Sequence, residues 1–208
     1  MKKGIKLISE ILVSRVIDLI KLNLLTLVFI LPIVTAPGAI VAACRIVIMM
    51  IDEEEFDLFP EYIKWFKREA IVALVGTLVF LVVFSLCTFS IFLYGVYFSN
   101  SPLLLFFVGV GIMLAIVLML SFNHFLVLRA SVVLSFWATL KDAWLLALAK
   151  LVANIFYLIL ILIILLVIAS LWPYSAALLP VILISLVVLV ITVNAYENIE
   201  SFVLKKGD

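Results

Sequence analysis

Residues Ile71 to Tyr97 read IVALVGTLVFLVVFSLCTFSIFLYGVY, twenty-seven consecutive positions without a charged side chain. A helix needs about 20 predominantly apolar residues to cross the roughly 30 Å hydrocarbon core of a bilayer. The stretch does not alternate apolar with polar residues, as a strand of a lipid-facing barrel would. In lipid every backbone N–H and C=O must be satisfied within the protein, which leaves the helix. The surrounding sequence agrees. Of 208 residues, 68% are hydrophobic and only 13% charged, and the mean hydropathy is +1.46. A soluble chain of this size would lack the polar surface to cover such a core.

Three further segments have spanning length: Leu103 to Phe122, extendable to Leu128; Leu151 to Leu171; and Val181 to Tyr196, which is short and can begin before Pro180. The first apolar region, Leu22 to Ile51, would measure about 45 Å as one helix. It contains Pro32-Ile33-Val34-Thr35-Ala36-Pro37-Gly38, which no straight helix accepts. A hairpin is expected instead, with one arm to about Leu31 and a return arm from about Gly38 to Met50, the latter tilted or partly re-entrant. Residues 5–21 read as an amphipathic helix leading into it. Glu10, Arg15, Asp18 and Lys21 separate the basic Met1-Lys2-Lys3 from the first apolar run, unlike a secretory signal, so this end is expected to be retained.

Charge sets the expected orientation, because basic residues concentrate on the cytoplasmic side. Lys2, Lys3, Lys6, Arg15 and Lys21 precede the first hairpin. Lys64, Lys67 and Arg68 fall in the next connection, Arg129, Lys141 and Lys150 in the one after it, and Lys205 and Lys206 at the end. Between them lie three uncharged, proline-bearing apices: Pro32 to Gly38, Phe98 to Pro102, and Trp172 to Pro180. The pattern closes with an even number of crossings. The expected fold is therefore an all-α, polytopic transmembrane helix bundle. It has six membrane elements in three hairpins, and both termini are cytoplasmic. The single membrane domain divides into 5–21, the first hairpin 22–51, a connection 52–70, the second hairpin 71–122, a connection 123–150, the third hairpin 151–197 and a tail 198–208.

Both connections carry amphipathic patterns. After the acidic run Asp52-Glu53-Glu54-Glu55-Phe56-Asp57, Pro60 suits the first turn of a helix. Phe59, Tyr62, Ile63 and Phe66 then share one face, with Trp65 a candidate interface anchor. In the second connection Val133, Phe136, Trp137, Leu140, Trp144, Ala147 and Leu148 form a stripe interrupted by Lys141 and Asp142. Such a helix either docks a cytoplasmic partner, for instance the ATPase of a transporter, or lies on lipid headgroups.

Residues suited to chemistry are few. His124, beside Asn123, is the sole histidine, and no cysteine or carboxylate stands at ligand spacing around it. It reads as a satisfied polar residue near a span end. No P-loop, GxSxG or HExxH is present, so neither catalysis nor a cofactor or metal is expected. The net charge of +1 offers no basic field for nucleic acid. Cys44 and Cys87 lie in apolar runs and read as core residues. The long spans carry no ionisable residue in their interiors, which disfavours an ion-coupled transporter. Arg45, Arg129 and Glu197 lie near predicted cytoplasmic ends, and either arginine could pair with Glu197. Asn23, Thr35, Thr77, Asn154 and Asn194 are candidates for hydrogen bonds between helices. Gly76, Gly109 and Gly111 allow close helix packing.

Asn23-Leu24-Leu25, Leu31-Pro32-Ile33, Thr35, Pro37-Gly38 and the following Ala39, Ala42 and Ala43 resemble the YesL-like family of small bacterial membrane proteins. The acidic patch before Phe59 to Arg68, and Leu140-Lys141-Asp142-Ala143, are similar too, so the likeness extends over most of the chain. Thr26 stands where that family usually has tryptophan, and Pro37-Gly38 reverses its usual order. The resemblance implies a bacterial cytoplasmic membrane protein associated with carbohydrate ABC transporters, with no known catalytic activity. The expected role is an accessory subunit packing against permease helices. The candidate contacts are Asn23, Pro32, Thr35, Pro37, Gly38, Arg45, Phe59, Tyr62, Trp65, Phe66, Arg129, Phe136, Trp137, Trp144 and Glu197. The expected partners are the bilayer and the permease with its ATPase. The alternatives are an independent small-solute transporter or facilitator, conceivable as a homo-oligomer, and a lipid- or envelope-associated scaffold.

Overall fold

A computed structural model of the chain describes residues 4–97, 102–171 and 179–201. The turns expected around residues 98–101 and 172–178 lie outside them, as do Lys2, Lys3, Lys205 and Lys206. The described residues form helices and no strand. The helices are α1 (Ile5–Ser14), α2 (Val16–Ile30), α3 (Ala36–Ile51), α4 (Leu58–Tyr97), α5 (Pro102–Ser131), α6 (Phe136–Ala149), α7 (Leu151–Ser170) and α8 (Ile184–Ile199). A 3-10 turn, Ile33–Thr35, precedes α3, and a π-turn, Leu179–Leu183, precedes α8.

Five helical stretches are long and apolar enough to cross a membrane: Ile33–Ile51, Leu58–Val96, Phe106–Ser131, Leu151–Ser170 and Val181–Ile199. The sixth expected element is α2. Its 15 residues reach only about 22 Å, and its first two turns carry Asp18 and Lys21. The amphipathic lead-in helix is not continuous either, because the backbone breaks at Arg15 (φ −120°, ψ 25°).

The break between α2 and α3 falls where the prolines require it. Pro32 is extended (φ −78°, ψ 104°), which ends α2, and Pro37 sits in the first turn of α3, where its missing N–H is of no consequence. At its other end α3 closes with Glu53 in the left-handed region (φ 55°) and Glu54 N–H bonded to Met49 O at 3.0 Å. This is the Schellman arrangement, here without the usual glycine.

α3 is the centre of the bundle. Pro37 to Ala39, Val41 to Cys44 and Ile46 to Met50 are all buried, and α2, α4, α5 and α8 pack around them. Small residues allow this approach. A Cβ on Gly38 would stand 2.7 Å from Ala70 Cα, a backbone atom that moves only with its helix. Gly38→Ala is therefore expected to cost about 1–3 kcal/mol through overpacking. Gly95→Ala, with nothing within 4 Å of the new Cβ, should be neutral or slightly stabilising. SDS titration of the two detergent-solubilised variants checks the contrast.

α4 differs from the sequence expectation. It is one helix of 40 residues, about 60 Å long, in place of a short surface helix followed by a span. Nothing between Pro60 and Gly76 breaks a helix, and Lys64, Lys67, Arg68 and Glu69 are all good helix formers. α5 likewise continues through His124 to Ser131. Together the two helices have a packed half and an exposed half. Tyr62, Trp65, Glu69, Ala73, Gly76 and Phe80 on α4 are buried, whereas Leu81, Val82, Phe84, Leu86, Phe89 and Phe92 are exposed. α7 is exposed on several sides, including Val152, Phe156, Ile159, Ile163 and Leu166.

A buried ionic and polar layer as the candidate functional site

The buried stripe of α4 carries a carboxylate. Glu69 is 1% exposed and follows Tyr62 and Trp65 at helical spacing. Arg129 reaches across from α5. Its Nε donates to Glu69 Oε2 at 2.8 Å, its Nη2 donates to the same oxygen, and its Nη1 donates to Leu134 O at 2.8 Å. Arg68 Nε donates to Glu69 Oε1 at 3.0 Å. Both carboxylate oxygens are thus held by guanidinium groups, which makes burial of the charge tolerable. The Leu134 contact also ties this pair to the link before α6, whose first turn is capped by Ser135 Oγ, accepting from Ala138 N–H.

Sequence reasoning missed Glu69, because placing it in a solvated connection hid its place on the buried face. The signal was its position four residues after Trp65 and four before Ala73. The suggested pairing of Arg45 or Arg129 with Glu197 does not form. Arg129 pairs with Glu69, and Arg45 Nη2 lies 3.8 Å from Glu54 Oε2, because the Schellman turn carries Glu54 back toward α3. Glu197 instead lines a groove with Gly4, Lys150 and Tyr157.

Trp65 does not act as an interface anchor. It is buried, with Arg68 Cζ 4.1 Å and Arg45 Cζ 5.0 Å from its ring centroid, in cation–π contact. Tyr62 also points inward, donating to Ala39 O at 3.2 Å, and Phe29 packs against the rings of Tyr62 and Phe66. Phe59, expected on the same face, is 62% exposed. The acidic run is engaged at another point: Tyr196 Oη donates to Asp52, 2.9 Å from Oδ2.

A second cluster lies among α5, α7 and α8. Asn154 is its hub. Asn154 Nδ2 donates to Leu146 O at 3.2 Å and Ala147 O at 2.9 Å, closing the carbonyl end of α6. Its Oδ1 accepts from Asn194 Nδ2 at 3.1 Å and Asn198 Nδ2 at 3.0 Å. Asn198 Nδ2 also lies 3.2 Å from His124 Nε2, while His124 Nδ1 lies 2.9 Å from Leu120 O. The pattern fits a neutral ring with its proton on Nδ1 and Nε2 accepting. His124 is fully buried, with both ring nitrogens engaged, as the satisfied polar residue the sequence suggests.

The expected interhelical polar residues divide by what they do. Asn154 and Asn194 join helices as described. Asn23 joins α2 to α8, its Oδ1 accepting from Ser185 N–H at 3.0 Å. Thr35 Oγ1 instead serves the hairpin turn, within reach of Phe29 O and 2.7 Å from Pro32 O, and Thr77 bonds Ala73 O in its own helix. Pro37 and Gly38 are buried, whereas Pro32 is exposed. On α6, Phe136 packs against Phe125, Trp144 is half-buried, and Trp137 points outward.

These bonds engage polar side chains with one another and with helix ends. The cleft between α4 and α5, about 290 Å³, is lined by Thr77, Phe80, Leu81, Phe84, Leu118, Met119 and Phe122. It is an apolar surface, suited to hydrocarbon or to another helix. The likeness to the YesL-like family rests on the motif residues alone. No protein-family model, curated protein or solved structure matches this chain.

Proposed function

We propose that this chain is an accessory membrane subunit that packs against the helices of a larger transporter, and that the transporter is a carbohydrate ABC importer of a bacterial cytoplasmic membrane. One observation carries the packing role. Among the described residues, Glu69 bonds to Arg129, and Asn154 to Asn194 and Asn198, inside the bundle, while the outer halves of α4 and α5 and most of α7 present wide apolar faces. A chain built to move a polar solute would direct polar groups toward a shared aqueous path. Here Glu69, Arg129, Asn154 and His124 fix helix positions instead. The transporter class follows from the motif likeness at Asn23 to Ala43. The charge distribution supports six membrane elements with both ends in the cytoplasm, α2 being the shortest of them.

Affinity purification from native membranes in mild detergent tests this reading. Permease and solute-binding subunits are expected to co-purify at near-stoichiometric yield. Recovery of the chain alone, under conditions in which a reference transporter complex survives, overturns it. Solute flux by the purified chain in liposomes would then identify an independent facilitator.

A further inference from the structure

The outer face of α6 has one composition and one neighbour. Trp137, Lys141, Leu145 and Leu148 follow at helical spacing and are all exposed, Trp137 at 77%. The opposite face, Thr139, Ala143, Leu146 and Ala147, is buried in the bundle. α7 begins two residues after α6 ends, and the bonds from Asn154 to Leu146 O and Ala147 O fix the start of α7 against the end of α6. Leu148, at the end of this exposed face, lines one groove with Val152 and Phe156, at the start of a helix long and apolar enough to span a bilayer.

We infer that α6 is an interfacial helix whose outer face is covered by the lipid headgroup boundary of the bilayer, with Trp137 and Lys141 at headgroup level. Leu145 and Leu148 are too apolar for water in a patch that joins the α7 surface. Lys141 on the same face excludes the hydrocarbon interior. An indole with one polar edge and a lysine with an aliphatic stem are the side chains that sit at that boundary. Continuity with α7 favours lipid over a cytoplasmic protein, because a face running into a membrane span must meet the bilayer at their junction. This conclusion is independent of the proposed transporter partnership.

The test uses the full chain in lipid vesicles, and compares wild type with Trp137→Phe to isolate the Trp137 emission. Lipids brominated on the acyl chain near the headgroup should remove most of that emission. Lipids brominated near the chain end should remove less, and aqueous iodide little. Strong iodide quenching without lipid quenching would place α6 in water. Protection from both would mean that another protein surface, such as a second copy, covers it. Either result overturns the inference. Leu145→Trp in the Trp137→Phe background gives a second reporter on the same face, with the same pattern expected.

Discussion

Glu69→Gln is expected to cost about 3–5 kcal/mol of folding stability, the usual effect of leaving one member of a buried ion pair uncompensated. Against total stabilities of about 5–15 kcal/mol for ordinary domains, that should sharply reduce the folded fraction. The cause is specific. The substitution leaves the Arg129 guanidinium, 8% exposed at the side chain, among Leu134 and the α4–α5 contact without an anion. Replacing both partners, Glu69→Leu with Arg129→Met, removes the stranded charge as well as the pair. It should recover more than half of the loss, although Leu134 O then lacks its donor. SDS titration of the single and double variants reads the comparison. Equal losses in the two would show that the stranded Arg129 charge is not the cause of the loss.

Asn154→Leu is expected to have the second-largest effect. It deletes the two bonds to the end of α6 and the two from α8. Interhelical hydrogen bonds in membrane proteins contribute about 0.6 kcal/mol on average and up to about 1.7 kcal/mol. The combined loss should therefore be about 2–4 kcal/mol, since the freed donors and carbonyls have little access to water. Asn194→Leu, which removes one bond to the same oxygen, should cost about 1 kcal/mol. The same titration checks this ratio. Similar losses for the two variants would show that Asn154 is not the hub.

The helical class, with helices long and apolar enough to cross a membrane, was legible in residues such as Ile71 to Tyr97, because a bilayer allows so few backbone solutions. The helix break at Pro32 to Gly38 was legible because proline acts locally. Element boundaries were less so. The charged group Lys64 to Glu69 suggested an end to a surface helix, yet charge does not break a helix, and α4 runs through it. The ionic layer was hidden for the same reason. Glu69 and Arg129 are 60 residues apart, and only the crossing of α4 with α5 brings them together. The asparagines were recognised as polar residues needing partners, but sequence could not say that Asn154 serves two helices at once.

The bond between Asn23 and Ser185 has a consequence for the order of biosynthesis. Its partners are separated by 162 positions. At about 5–20 residues per second, translation between them takes on the order of ten to thirty seconds. During that interval α2 has been made, while the backbone amide that donates to its asparagine does not yet exist. Asn198 and Tyr196 reach His124 and Asp52 from the same late helix. The last of the described helices to be synthesised is thus the one that locks the earlier ones together, and chains released before Ser185 would hold their first helices only loosely.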